Sequence, residues 1–273
     1  MRIAPLPREP WLGRTARATS AQRFRTSFLS SRRVVESTRF AYQVAGVASV
    51  LILPTLGGGL IVDDLLHRLV ARQRLGVAID NMFHFISARP DLRARFMEHG
   101  VYDWWIGADT KVNYFRPLAA LTHFIDYRWW PHAAWLMHLE NVAWYAALAI
   151  AAAAFYRRLV PTPWIAGLAA ALYAFDHSHA GPVAWIANRN ALMAALFGVL
   201  SLLAHDRWRR DGRRAFAMVA PLLLLLALSS AEAGVAILGY TFAYALFIDP
   251  GSPSRRAWSL APSVTVTLAW RAV

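Results

Sequence analysis

The chain has 273 residues, 57% of them hydrophobic and only 16% charged, and 29 basic against 16 acidic side chains leave it at +13. Globular domains carry about 25% charged residues, so an ordinary soluble domain is excluded, and the lack of cysteine excludes disulfides, thiolate metal sites and a cysteine nucleophile. The apolar residues fall in runs of about 16 to 25 between arginine-rich stretches, which is the pattern of a polytopic membrane protein.

Residues 1–39 hold nine arginines and two glutamates, are rich in serine and threonine, and have no apolar periodicity. They predict a basic cytoplasmic tail without fixed structure. Nucleic-acid binding is not expected, because it would need aromatic residues interleaved with the basic ones on a folded face. The first apolar run starts too late and is too long for a secretory signal. It predicts a crossing at about 40–62, weakened at its far end by Pro54 and Gly57 to Gly59.

Residues 63–131 predict an external loop lying on the membrane. From Asp64, the pattern DLLHRLVARQRL puts Leu65, Leu66, Leu69 and Val70 on one helix face and His67, Arg68, Arg72 and Gln73 on the other. This is an interfacial amphipathic helix, whose arginines suit a lipid-linked phosphate or lipid headgroups. Trp104, Trp105, Trp129, Trp130 and Trp135 read as interface anchors.

Further crossings are predicted at about 132–156, 161–177, 185–206, 215–231 and 233–249, with an incomplete one from 258. The expected fold is an all-α polytopic membrane protein, a basic tail (1–39) followed by a domain (40–273) of about seven spans that is incomplete at its C-terminus. Basic clusters at 1–39, 157–158, 207–214 and 255–256 all fall on one side, which the positive-inside rule makes cytoplasmic, N-terminus included. Lys111 is the sole lysine, and the arginine and alanine bias suggests a GC-rich source; the expected location is a bacterial inner membrane.

That orientation gathers the remaining polar residues on the outer side: Asp63 and Asp64; Asp176, His177 and His179; Asn188, Arg189 and Asn190; Ser229, Ser230 and Glu232. Ionisable groups at membrane depth are costly and usually face a cavity. Arg116 and Arg189 are candidates to grip a phosphate with two guanidinium prongs, or else to pair with Glu232 or Asp176. Asp63 or Asp64 is a candidate base, unless the pair caps the helix it starts. Glu140, within the second span, is expected to pair with a polar neighbour. The run Asp176 to His179 has metal-ligand residue types without a third or fourth ligand, and His132 and His138, six apart, do not share a helix face. The expectation is therefore no cofactor, with a divalent metal as the lesser alternative.

The order of features resembles the GT-C superfamily of membrane glycosyltransferases. The nearest branch holds the protein O-mannosyltransferases and the tetratricopeptide-repeat-bearing transmembrane O-mannosyltransferases. The features carrying the likeness are Asp63 and Asp64 after the first span, Tyr114 to Leu118 ahead of the second, His138 and Asn141 early in it, HAGPVAWIANRNALMAALF from His179 to Phe197, and Ser230, Ala231 and Glu232. The chain departs from the family at Gly181, Ala191 and Ala231, where Glu, Asp and Lys are common, and it has fewer spans.

The resemblance implies an inverting transfer of a sugar from a polyprenyl-phosphate donor to a protein or glycan acceptor on the external face. Asp63 or Asp64 would act as base. Tyr114, Arg116, His138, Asn141, Asp176, His177, His179, Arg189 and Glu232 would bind substrate. The rival expectation is a non-catalytic membrane protein that binds lipid or a protein partner.

Overall fold

The computed structural model describes residues 34–72, 82–86 and 89–272. Most of the expected tail, and Gln73 of the amphipathic helix, lie outside them. The elements in order are α1 (Phe40–Ile52), α2 (Asp63–Ala71), β1 (His84–Ile86), α3 (Pro90–Glu98), β2 (Val112–Asn113), α4 (Pro117–Trp129), α5 (Ala134–Leu159), α6 (Pro163–Ala174), α7 (Ala180–Ala184), α8 (Arg189–Asp211), α9 (Phe216–Ser230), α10 (Ala236–Phe247) and α11 (Pro253–Arg271).

Each apolar run expected to cross the membrane contains a helix. Three stretches are long and apolar enough to span a bilayer: Phe40–Gly57, Ala134–Leu159 and Ile186–Asp211. Pro163–Ala174, Phe216–Ser230 and Glu232–Phe247 are shorter apolar helices. The 12 residues of α6 rise only about 18 Å, against roughly 30 Å of hydrocarbon. The first stretch changes from α-helix to 3-10 turn at Leu53–Gly57, because Pro54 has no N–H to continue the ladder.

The core lies among α1, α5, α6 and α8. Small and branched side chains interlock there: Val44, Ala45 and Ala48 meet Val142, Tyr145, Leu148 and Ala149, with Leu192 and Leu196 behind. A second cluster joins Leu202, Leu224, Leu228 and Ile237 across α8, α9 and α10. Gly198 permits this approach, since a Cβ there would stand 2.5 Å from Ile237 Cδ1.

The arginine-rich helix ends meet at one end of the bundle. Arg157 donates to the Ser37 carbonyl. Arg158 pairs with the buried Asp206 and with Asp211, while Arg209 Nε lies 2.6 Å from Asp249 Oδ2. Tyr244 Oη also donates to Asp206, at 2.8 Å. The basic stretches 157–158, 207–214 and 255–256 thus share one end with Ser37, and Asp63, Arg116, Arg189 and Glu232 belong to the other.

The fold is predominantly helical, as expected, and the segment 63–131 adds a short ladder in which β1 and β2 pair antiparallel, with His84 opposite Asn113 and Ile86 opposite Val112. The alternation of Phe83, His84, Phe85 and Ile86 has the period of a strand. One expectation is corrected: α2 buries Asp64, His67 and Val70, while Leu65 and Leu69 are exposed. Asp64 is held inward by the Ile61 and Ala187 N–H groups and His67 packs against Phe83 and His123, whereas Arg72 faces outward with the two leucines.

Candidate functional site

The local chain path separates the two aspartates. Val62 has φ 47° and ψ −116°, and the Asp64 N–H donates to the Ile61 carbonyl at 2.9 Å. These mark a tight turn whose second position normally takes glycine. The turn starts α2 abruptly, and successive residues then point about 100° apart around the helix.

Asp64 is fully buried. Its Oδ1 accepts from the Ala187 N–H at 2.6 Å and its Oδ2 from the Ile61 N–H at 3.0 Å. Burial pushes its carboxyl up, while these two bonds and His138 pull it back. Asp64 clasps α2 to the turn ahead of α8. Asp63 lines a cavity instead, where partial burial raises its carboxyl above the ordinary value.

That cavity, of about 380 Å³, is walled by Phe83, Phe85, Tyr114, Trp185 and Arg116, with Asn188 and Asn190 at the start of α8. Tyr114 is held by its N–H, which donates to the Phe83 carbonyl at 3.2 Å. Arg116 precedes Pro117, the first residue of α4, and proline disfavours a helical conformation for the residue before it. Its guanidinium stacks 4.2 Å from the Tyr114 ring centre and 5.2 Å from that of Phe83. Nε and Nη2 lie 3.0 and 2.8 Å from Glu232 Oε2. With the Asn190 amide turned so that its nitrogen donates to the Ala187 and Asn188 carbonyls, its oxygen accepts from Arg116 Nη1 at 3.0 Å.

A buried polar network centres on the first residue of α8. Arg189 is fully buried. It has Asp126 Oδ2 at 2.7 Å and Glu140 Oε2 at 3.1 Å, and donates to Asn141 Oδ1 at 2.7 Å and to the Met137 carbonyl at 3.1 Å. Asn141 Nδ2 donates to the Val183 carbonyl at 3.1 Å. His138 Nε2 lies 2.8 Å from the Gly59 carbonyl oxygen. Glu140 is paired, as expected, and also accepts from Trp144 Nε1 at 3.1 Å.

Asp176, His177 and His179 are not brought to the cavity that Asp63 and Arg116 line. They border a different one with Ile52, Tyr145 and Phe175. There the Asp176 carboxylate accepts from the Ser178 N–H at 2.8 Å, and the His179 and Tyr173 rings meet edge to face. Among the described residues, no group of three or more His, Cys, Asp or Glu is placed to hold a metal.

Sequence reasoning missed Asp126, the main partner of Arg189, and the buried histidines His67 and His123. Their rings lie 5.0 Å apart behind Phe83, and their nitrogens have no protein partner. Burial, reinforced by Arg116, pushes His67 down to about 3, and burial and Arg189 push His123 well below its ordinary value. Both are neutral at physiological pH. The available signal was spacing: His123 and Asp126 share a face of α4, as Asp64 and His67 share one of α2.

No family model matches the chain, and neither a curated protein nor a solved structure is similar enough to match it.

Proposed function

We propose that the protein is an integral membrane glycosyltransferase of GT-C type, moving a sugar from a polyprenyl-phosphate donor to a protein or glycan acceptor at the external face. The observation that carries the reading is the shared cavity of Asp63 and Arg116, at the end of the bundle opposite the paired arginines. Asp63 is the base: its partly desolvated carboxylate holds a proton more strongly than an exposed one, which suits removal of the acceptor hydroxyl proton. Phe83, Phe85 and Tyr114 offer apolar faces for a sugar ring, and Asn188 hydrogen-bonding groups for its hydroxyls. Arg116 faces the negative charge that develops on the leaving phosphate.

A second reading has its own support. Arg116 is neutralised by Glu232, and Arg189 by Asp126 and Glu140, so both guanidiniums expected to bind phosphate already have carboxylate partners. That arrangement suits a non-catalytic membrane protein that binds lipid or a protein partner. Incubating the purified chain with polyprenyl-phosphate sugars labelled in the sugar separates the two. Transfer or hydrolysis of the label is the expected result, whereas donor retention without turnover favours the second reading.

A further inference from the structure

We infer that Arg68, Arg72 and His132 form a binding site for the phosphate of a membrane lipid, apart from the cavity of Asp63. Arg68 Nη2 lies 3.4 Å from His132 Nδ1, and Arg72 Nη2 lies 3.3 Å from His132 Nε2. A neutral imidazole has one acceptor nitrogen and one N–H, and an imidazolium has two N–H groups. One ring can therefore accept from only one of the two guanidiniums, and whichever state it takes, at least one pair sets donor against donor. An oxyanion between them resolves the conflict, since it accepts from both guanidiniums and from the ring N–H.

Charge leads to the same place. Arg116, Arg158, Arg189 and Arg209 each have a carboxylate partner, whereas Arg68 and Arg72 have none among the described residues. Arg72 and His132 are exposed and Arg68 partly so, amid apolar surface that points outward: Leu65 and Leu69 on α2, which carries Arg68 and ends just before Arg72, and Trp129 and Trp135 three residues either side of His132. Exposed indoles beside arginines mark the headgroup level of a bilayer. A lipid phosphate at that depth keeps its tails on the leucines and its charge on the guanidiniums. The inference is independent of the transfer reaction.

The full chain in a nonionic detergent is titrated with phosphatidylglycerol, followed by native mass spectrometry, and separately with inorganic phosphate, followed by phosphorus NMR. An Arg68→Gln/Arg72→Gln variant is expected to bind phosphatidylglycerol about tenfold or more weakly, and Arg68→Lys/Arg72→Lys to recover part of the loss by retaining charge without the planar fork. Circular dichroism checks the fold. Should the glutamine variant not fold, His132→Gln, at an exposed position, carries the same comparison and is expected to weaken binding. Inorganic phosphate bound at these arginines without any lipid preference would overturn the lipid as the source. Equal phosphatidylglycerol affinity in wild type and folded variants would overturn the site.

Discussion

Asp63 and Asp64 are neighbours with different work, and substitution separates them. Asp63→Asn keeps the hydrogen-bonding shape but removes proton acceptance, so turnover is expected to fall about a hundredfold or more while the fold survives. Asp64→Ala leaves the Ile61 and Ala187 N–H groups without their acceptor, at about 1–3 kcal/mol for each buried donor. Its thermal midpoint in detergent should drop clearly, whereas that of Asp63→Asn should barely move. Because burial disfavours the charged form, the pKa of Asp63 is raised. A base must be deprotonated, so the rate is expected to fall on acidification through a value above the ordinary carboxylate pKa; a pH–rate profile with its acid limb at the ordinary value would contradict this. Arg189→Met strands Asp126 and Glu140 and should destabilise by about 3–5 kcal/mol, measurable by the same thermal unfolding. Arg189 stood out in the sequence as an arginine away from the basic clusters, and the structure buries it. Its partners were not, because Asp126 lies 63 residues away and meets it only through packing.

Among elements, the turn into α2 offers a test in the opposite direction. Val62 is 71% exposed yet holds a positive φ that a β-branched residue resists, at a cost of about 1–3 kcal/mol. Val62→Gly loses little packing and relieves that strain, so the thermal midpoint should rise; a fall would show that the turn is shaped otherwise. Helix positions in the apolar runs were legible from their length, and Pro54 ends the regular helix of α1; α4, which starts at Pro117 within the segment read as a loop, was not read. The burial of α2 was not legible. Periodicity located a two-faced helix but could not tell which face meets protein, since His67 and Asp64 are buried among partners contributed by α4 and the turn before α8. The β1–β2 ladder escaped for a similar reason, because its strands are three and two residues long and 25 residues of intervening chain separate them.

At the scale of the molecule, the two ends of the bundle differ in charge chemistry. One gathers Arg158, Arg209 and Arg210 around Asp206 and Asp249, while the other has an aromatic-walled cavity and, among the described residues, the one fully buried arginine, Arg189. This polarity was legible in the alternation of basic loops, and it gives the proposed function its sidedness. The chain contains no cysteine, so single cysteines replacing Asp91, in the segment that includes the cavity's aromatic wall, and Arg210, at the arginine-rich end, can be read against a silent background. Both positions are exposed. With an impermeant thiol reagent applied to intact cells, the cysteine at position 91 should label and that at position 210 should react only after the membrane is opened. Labelling at 210 with protection at 91 would put the Asp63 cavity on the cytoplasmic side and contradict transfer at the external face.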